Sequence, residues 1–269
     1  MSTFAFIHGA GDVGWYWHLV EAELRTRGHD TVAPDLPADD DSATLTDYAD
    51  AVVDAVGDRK DVVVMGQSYG GFTAPLVADR LRADALVLVA AMIPAPGETP
   101  GDWWSNTGYS QAVREQASRD GGLTGNDDPY VTYYHDVPRE LAEEAMSKER
   151  AHPSEASMNA PWPLTAWPDV PTRFVLCDQD RFFPPDFLRR LVRERLSIVP
   201  DEIAAGHCVA LARPKELADL LAGYAANPGG PDRPQYEPHP SGRRPNHRPA
   251  PGPHQGPPAA TAGSRGVAV

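Results

Sequence analysis

A serine stands at the centre of the segment GQSYGG, residues 66–71, with a glycine two positions away on either side. The segment follows the apolar run DVVVM and precedes FTAPLVADRLRA, which predicts a sharp turn from a strand into a helix. This is the setting of a nucleophile elbow, where small neighbours relieve crowding around a strained serine and the helix N-terminus supplies donors. Ser68 is therefore our candidate nucleophile, with Gly66 and Gly70 as the small neighbours.

A serine hydroxyl is a weak nucleophile at neutral pH and needs a base within hydrogen-bond reach. Of the nine histidines, His207 in AAGHC follows the last predicted strand, at the sheet face where the elbow emerges, and we assign it as the base. His8 ends the first strand and is expected to shape the loop that follows. The others fall in the first helix and the turn after it, in an insertion and in the tail: His18, His29, His135, His152, His239, His247 and His254.

A third group, a carboxylate, is needed to orient the imidazole and to stabilise its charged form. Asp178 and Asp180 both come directly after the predicted strand TRFVLC and before His207. Residue type and position alone leave both of them open as the acid.

The elements that must position these residues alternate over the first 226 residues. Strands are predicted at STFAFIH, DTVAPD, DVVVM, ALVLVAA, TRFVLC and a short segment near DEIAA. Helices are predicted over residues 15–27, within TLTDYADAVVDAVGD, after Ser68 with a distortion at Pro75, and from Pro214 onward. Repeated strand–helix–strand units imply an α/β fold with a doubly wound, mostly parallel sheet whose ligands bind at the carboxyl ends of the strands.

Residues 94–168 break this rhythm, and we call them the insertion. They are rich in proline and aromatic residues, and one helix is clear, in PRELAEEAMSKERA. The segment is too long and too apolar for a plain connection, which predicts a lid over the active face. Residues 1–93 and 169–226 then form the core. Most lid aromatics are expected to pack the lid onto the sheet, and the candidates for substrate contact are Trp103, Trp104, Tyr133 and Trp162.

Charge is unevenly distributed along the 269 residues, whose formal net charge is −14. Residues 227–269 carry about +3 and contain 11 prolines and 7 glycines, too few apolar residues for a packed core, so a disordered tail is predicted. The remaining body, near −17, should repel nucleic acid and anionic membrane surfaces. We therefore expect a neutral or weakly charged small molecule as the ligand.

Two cysteines, Cys177 and Cys208, do not make a disulfide framework or a zinc-binding pattern. The opening residues MSTFAFIHGAG lack the pattern of a leader peptide, and no apolar run approaches the roughly 20 residues that cross a bilayer. The acidic run Asp39–Asp40–Asp41 is most simply a solvated loop. These features predict a cytoplasmic protein that needs no metal.

Four segments in order resemble the α/β-hydrolase fold superfamily, in particular its small lidded branch of plant-type methylesterases and hydroxynitrile lyases. FIHGAGDVGWYWHLVEAELRTRGHDTVAPDLP resembles the first strand, oxyanion loop, helix and second strand, and GQSYGG resembles the elbow. FVLCDQDRFFPPDF resembles the strand and turn that carry the acid, and AAGHCVALARPKELADLL the histidine loop and closing helix. The resemblance covers about 1–93 and 170–226 and is loose in the insertion.

The resemblance implies a chain order of serine, acid and histidine, and favours Asp180 over Asp178 because the family acid precedes a proline. It also implies that the backbone N–H groups of Tyr69 and Ala10 bind the oxyanion, with Gly11 as an alternative to Ala10. No cofactor is implied.

Serine at the elbow argues against epoxide hydrolases and haloalkane dehalogenases, which use aspartate, and against dienelactone hydrolases, which use cysteine. The lyases of this branch carry a lysine directly after the histidine, and here Cys208 takes that place. The sequence therefore favours a serine hydrolase that cleaves an ester, thioester or lactone of a small, mainly apolar substrate through an acyl-enzyme. The alternatives are a catalytically silent ligand-binding protein on the same fold and a pathway cyclase or acyltransferase that uses the same site.

Overall fold

A computed structural model of the chain describes residues 1–150 and 153–229. Within these residues lie six strands: β1 Thr3–Ile7, β2 Asp30–Val32, β3 Val62–Gln67, β4 Ala85–Val89, β5 Thr172–Cys177 and β6 Asp201–Ile203. They pair in parallel in the order β2-β1-β3-β4-β5-β6. The predicted doubly wound parallel sheet is confirmed.

The sheet is buried on both faces, which is why its strands are almost uniformly apolar. Alternate residues of β1 point to opposite sides, so that Ala5 and Ile7 belong to one apolar cluster and Phe4 and Phe6 to the other. Helices α2 (Leu45–Val56), α3 (Ala74–Leu81) and α9 (Pro185–Leu196) cover the first face, and α1 (His18–Thr26) and α11 (Pro214–Ala226) cover the second.

Strand order also locates the functional edge. The chain runs from β1 to β2 on one side of β1 and then crosses over to β3 on its other side, so that the carboxyl ends of β1 and β3 form a topological switch point. Ile7 pairs with Gly66 in the register of these strands. The loop that begins at His8 therefore lies beside the turn that carries Ser68.

The insertion, between β4 and β5, contains much more helix than the sequence predicted. Besides α7 (Arg139–Lys148), which was predicted, it holds α4 Pro100–Thr107, α5 Tyr109–Asp120, α6 Pro129–Thr132 and α8 Glu155–Asn159. Helix α5 has no fully buried residue; its half-buried face, which includes Tyr109, Ala112 and Val113, has helical spacing but is too weakly apolar to stand out in the sequence. Its ends are marked only by Gly108 and Gly121, both in the left-handed region.

Two further expectations need correction. Helix α9 was not predicted, although its buried residues Phe187, Leu188, Leu191 and Val192 have helical spacing. The expected distortion at Pro75 was wrong: Pro75 lies in the first turn of α3, where its missing N–H costs no hydrogen bond, and a short 3₁₀ turn, Ser68–Gly71, precedes it. A four-residue helix, α10 (Val209–Ala212), separates His207 from α11.

Both cysteines are free and buried, one at the end of β5 and one directly after His207. Burial raises the pKa of each thiol well above its ordinary value, which disfavours the thiolate that a nucleophile requires. In residues 1–150 and 153–229, no helix combines the length and the apolar character needed to cross a membrane. The predicted disordered tail lies almost wholly outside the described residues, as do His152, His239, His247 and His254.

Candidate active site

Ser68 occupies a strained turn at the carboxyl end of β3. Its φ is +50°, in the left-handed region that residues other than glycine rarely adopt, and its side chain is 8% exposed. The backbone N–H of Met92, just after β4, donates to the Ser68 carbonyl at 2.9 Å and so helps to hold this conformation. A conformation of this kind costs energy and is typically kept where it serves a function.

The glycines around Ser68 are required because other backbone segments approach them closely. A Cβ atom added to Gly66 would lie 2.6 Å from the Gly70 carbonyl oxygen, and one added to Gly70 would lie 2.7 Å from that of Ile7. At Gly71 the added atom would lie 1.9 Å from the Met92 carbonyl oxygen, far inside van der Waals contact. The pattern G-x-S-x-G-G is thus dictated by packing of the elbow between β1 and the loop after β4.

Gly71→Ala is expected to destabilise the protein by more than about 3 kcal/mol, since the clash is with backbone that cannot move aside. The matched control is Gly223→Ala in α11, where an added Cβ meets nothing within 4 Å. That second substitution should raise the free energy of unfolding by about 0.5–1 kcal/mol through lower chain entropy. Urea unfolding of both variants measures the contrast; equal stabilities would contradict it.

His207 and Asp180 form a buried pair beside the elbow. The His207 Nδ1 atom lies 2.8 Å from Asp180 Oδ2, and the two residues are 4% and 2% exposed. The other carboxylate oxygen of Asp180 accepts the backbone N–H groups of Phe182 and Phe183 at 2.8 and 3.0 Å. Asp178, the alternative acid, is exposed and makes no contact with the imidazole. The structure thus brings Asp180, and not Asp178, to His207.

Gln67 contacts the other imidazole nitrogen, which sequence reasoning missed. Its side-chain Nε2 lies 3.1 Å from His207 Nε2, while its Oε1 is buried with no hydrogen-bond partner in the described part of the chain. Ser68 Oγ makes no hydrogen bond to His207 in the part of the chain that the structure describes. Because Nδ1–H donates to Asp180, Nε2 carries the lone pair. In this structure that lone pair accepts a hydrogen bond from the Gln67 side-chain amide. The only available signal was the position of Gln67 directly before Ser68.

The loop after β1 lies against Ser68. His8 donates from Nδ1 to the Gly9 carbonyl at 2.9 Å and accepts the Leu36 N–H at Nε2, at 3.2 Å. A Cβ on Gly9 would lie 3.1 Å from Ser68 Cβ, so glycine permits this close approach. Within the described residues the backbone N–H groups of Tyr69, Ala10 and Gly11 have no acceptor.

A second carboxylate that the sequence did not single out, Asp12, stands near this loop. Its Oδ2 would lie 3.5 Å from a Cβ on Gly9, and no described residue donates a hydrogen bond to it. Loss of hydration, with a smaller contribution from the Glu149 carboxylate, raises the Asp12 pKa to about 7, against an opposing pull from His207. Burial also raises the pKa of Glu149, whose Oε1 accepts the Tyr134 hydroxyl at 3.1 Å.

Asp12→Asn is expected to stabilise the protein in a pH-dependent way. A carboxyl whose pKa is higher in the folded than in the unfolded protein loses its proton less readily in the folded state. The free energy of unfolding therefore falls as the pH rises from about 4, and the loss is complete above about 7. The gain in the free energy of unfolding should therefore be near zero at pH 4 and about 2 kcal/mol at pH 8. Denaturant titrations of both proteins at the two pH values measure it, and a pH-independent gain would contradict the assignment.

Asp219→Asn serves as the control of opposite sign. Hydrogen bonds from Lys215 and Arg27 lower the pKa of Asp219, so its carboxylate contributes stability above the unfolded pKa. Loss of stability in this variant should be visible at pH 8 and disappear as the pH falls.

The four predicted substrate-contact aromatics lie in different surroundings. Trp103 and Trp162 are buried in the core, and their indole N–H groups donate to the carbonyls of Ile93 and Phe72 at 3.0 and 2.9 Å. Trp104 is half-buried beside Tyr109, with ring centroids 4.9 Å apart. Tyr133 is the one of the four whose ring contacts the imidazole of His207, at 5.8 Å between centroids.

Phe182 and Phe183 also face the imidazole, with centroids 5.0 and 5.3 Å from it. Together with Tyr133 they surround His207 with apolar surface. Across residues 1–150 and 153–229, no group of three or more histidine, cysteine and acidic side chains is arranged to hold a metal ion.

Comparison with known proteins agrees with this architecture. The family model of the alpha/beta hydrolase family matches residues 4–220. The rice esterase PIR7B (Oryza sativa subsp. japonica) is 27% identical over 252 residues, covering 81% of this chain and 93% of its own. Methylesterase 7 of Arabidopsis thaliana is 24% identical over 247 residues, covering 81% and 94%. A crystal structure of a pyrethroid hydrolase from Sphingobium faniae JZ-2 superimposes with a TM-score of 0.65 at 20% identity, covering 84% of this chain and 98% of that one.

Proposed function

The chain belongs to the alpha/beta hydrolase family, and on that premise we propose that it is a serine hydrolase of small carboxylic esters, including thioesters and lactones. The observation that carries the proposal is the buried His207–Asp180 contact of 2.8 Å at the sheet edge where Ser68 sits in its strained turn. Esterase and methylesterase relatives that align over most of the chain support the same reaction class.

In the proposed reaction Ser68 Oγ attacks the ester carbonyl while His207 Nε2 accepts its proton. Asp180 holds Nδ1–H, which fixes the imidazole tautomer and stabilises the cation that forms. The N–H groups of Tyr69 and Ala10 bind the oxyanion, Tyr69 because it follows the nucleophile and Ala10 because Gly9 abuts Ser68. The alcohol leaves with the proton from His207, and water then releases the acid from the acyl-enzyme.

Proton transfer requires His207 Nε2 to exchange its partner. In this structure Nε2 accepts a hydrogen bond from the Gln67 amide; when the substrate is bound, it must instead accept one from Ser68 Oγ. Catalytic hydrogen bonds are often loose without substrate and tighten in the Michaelis complex, so the exchange is consistent with the proposed role.

The surroundings of the imidazole favour an apolar substrate. Tyr133, Phe182 and Phe183 supply aromatic surface beside the reacting atoms. A buried acceptor without a partner in the described residues, Gln67 Oε1, and the nearby carboxyl of Asp12 disfavour a substrate with its own negative charge. Neutral esters with an apolar acyl or alcohol group fit this combination.

The test is a panel of esters and thioesters that varies chain length and charge, assayed for multiple turnovers by release of alcohol or thiol. Sustained turnover with preference for neutral, apolar members supports the proposal. Covalent labelling of Ser68 by a fluorophosphonate without turnover of any member would instead indicate a silent binding protein. Products in which the acyl group has moved to an acceptor other than water would indicate a transferase or cyclase.

A further inference from the structure

Two consecutive residues of the insertion, His135 and Asp136, contact the loops that carry the proposed acid and base; we call them the clamp. His135 Nε2 lies 3.0 Å from the carbonyl oxygen of Gln179, the residue directly before Asp180. Asp136 Oδ2 accepts the backbone N–H of Gly206, the residue directly before His207, at 2.8 Å. Each clamp residue therefore fixes the backbone one position before a member of the proposed triad.

The fit of Gly206 against the clamp is close. A Cβ atom at this position would lie 2.6 Å from His135 Nε2 and 2.7 Å from Asp136 Oδ1. The absence of a side chain at Gly206 lets His135 reach the backbone of the acid loop and Asp136 that of the histidine loop. Asp136 Oδ1 is itself buried without a hydrogen-bond partner in the described part of the chain. Burying this oxygen therefore costs the protein its free energy of hydration.

The segment that carries the clamp is held in place by burial of its neighbours and by backbone hydrogen bonds. Tyr134 and Val137, on either side of it, are buried in the apolar cluster on the α1–α11 face of the sheet. The N–H groups of Tyr133 and Tyr134 donate to the Pro129 carbonyl at 2.9 and 3.0 Å, and that of Val137 to the Tyr134 carbonyl.

The two loops are also joined to each other. The N–H of Asp178 donates to the Ile203 carbonyl and that of Gln179 to the Ala205 carbonyl, both at 3.1 Å. These bonds hold the two loops together at the ends of β5 and β6. The clamp contacts the same two loops from the insertion. A shift of either loop would change the Nδ1–Oδ2 distance between His207 and Asp180.

We propose that His135 and Asp136 are positioning residues that keep the acid and base loops in register, so that the insertion aligns the catalytic pair as well as covering it. The inference rests on the proposed serine hydrolase function. It predicts that breaking the clamp lowers the rate of chemistry more than it weakens substrate binding, because the clamp residues act through His207 and Asp180.

Asp136→Ala is expected to lower kcat by about 10- to 100-fold with KM changed less than about threefold. Asp136→Asn should remain within about threefold of wild type, because the amide oxygen still accepts the Gly206 N–H. Gly206→Ala, which displaces both clamp side chains without removing them, should lower kcat as Asp136→Ala does. An Asn variant as impaired as the Ala variant would overturn the proposal.

Asp47→Ala is the matched control. Asp47 is also an aspartate that accepts a backbone N–H, from Thr44 at 2.7 Å, but it belongs to the capping box of α2 and contacts neither loop. Its variant should lose thermal stability comparably while kcat stays unchanged. Equal kcat values for Asp47→Ala and Asp136→Ala would show a structural role only and overturn the proposal.

The rate constant of Ser68 labelling by a fluorophosphonate, measured beside turnover, separates this inference from the proposed function. Wild type that turns over esters, with Asp136→Ala unimpaired in both assays, refutes the clamp alone. Wild type that labels but does not turn over refutes hydrolysis, and slower labelling of Asp136→Ala then still supports the clamp. Wild type that neither labels nor turns over refutes both.

Discussion

Ser68→Ala is expected to lower kcat for the best ester of the panel by about 10⁴-fold or more. The variant keeps the backbone of the elbow but has no oxygen to attack the carbonyl, so the acyl-enzyme cannot form. Residual catalysis from the proposed oxyanion donors and from binding alone would remain above the uncatalysed rate. Steady-state kinetics together with mass spectrometry of the acyl-enzyme measure both parts of this expectation.

Ser147→Ala provides the comparison for this variant. Ser147 is an exposed serine of α7 whose hydroxyl donates to the Glu144 carbonyl in the same helix, so its variant should match wild type in kcat and KM. Ser68→Ala should unfold at nearly the wild-type temperature, because the hydroxyl makes no described hydrogen bond that the fold depends on. Undiminished turnover by a folded Ser68→Ala protein would refute the serine mechanism outright.

The second large effect concerns the acid. Asp180→Asn is expected to lower kcat by about 10³- to 10⁴-fold while leaving KM within a few-fold. An amide cannot stabilise the imidazolium, and its NH₂ group favours the wrong tautomer of His207. The Phe182 and Phe183 N–H groups, which now bind Asp180 Oδ1, can still bind the amide oxygen, so the fold should survive.

Asp178→Asn is the matched control, since it makes the same chemical change two residues away on an exposed side chain. Its kinetics should equal those of wild type. The reverse outcome, a damaged Asp178 variant beside an active Asp180 variant, would mean that the loop rearranges in solution and that the acid was assigned to the wrong residue.

Local patterns were enough to identify the sheet. Strands such as DVVVM and TRFVLC are almost uniformly apolar because both of their faces are buried. Each segment shows this pattern without reference to the rest of the chain. Helix α2 was equally visible, since one apolar face repeats at helical spacing. The elbow could be recognised because Gly66, Gly70 and Gly71 are required by close backbone contacts that no larger residue could replace.

Other elements lack such a local signature. Helix α5 has no fully buried residue and only a half-buried face, which includes Tyr109, Ala112 and Val113, so that its apolar pattern was too weak to indicate a helix. The insertion was correctly expected to carry buried aromatics, yet which of them would face the imidazole could not be decided. Trp103 and Tyr133 were both predicted to contact the substrate, but one is buried against the core and the other contacts His207.

The sequence by itself determined the fold class, the elbow and the identity of the two residues, Ser68 and His207, proposed to carry out the chemistry. These depend on residue types, spacing and chain order, which are local properties. The resemblance favoured Asp180, and the tertiary structure decided that it, and not Asp178, meets His207. Only the tertiary structure revealed that Gln67 contacts the imidazole Nε2 and that Asp136 holds the histidine loop. These contacts join residues 27, 140 and 70 positions apart, and side-chain direction at such separations is set by how loops pack and not by the residues themselves.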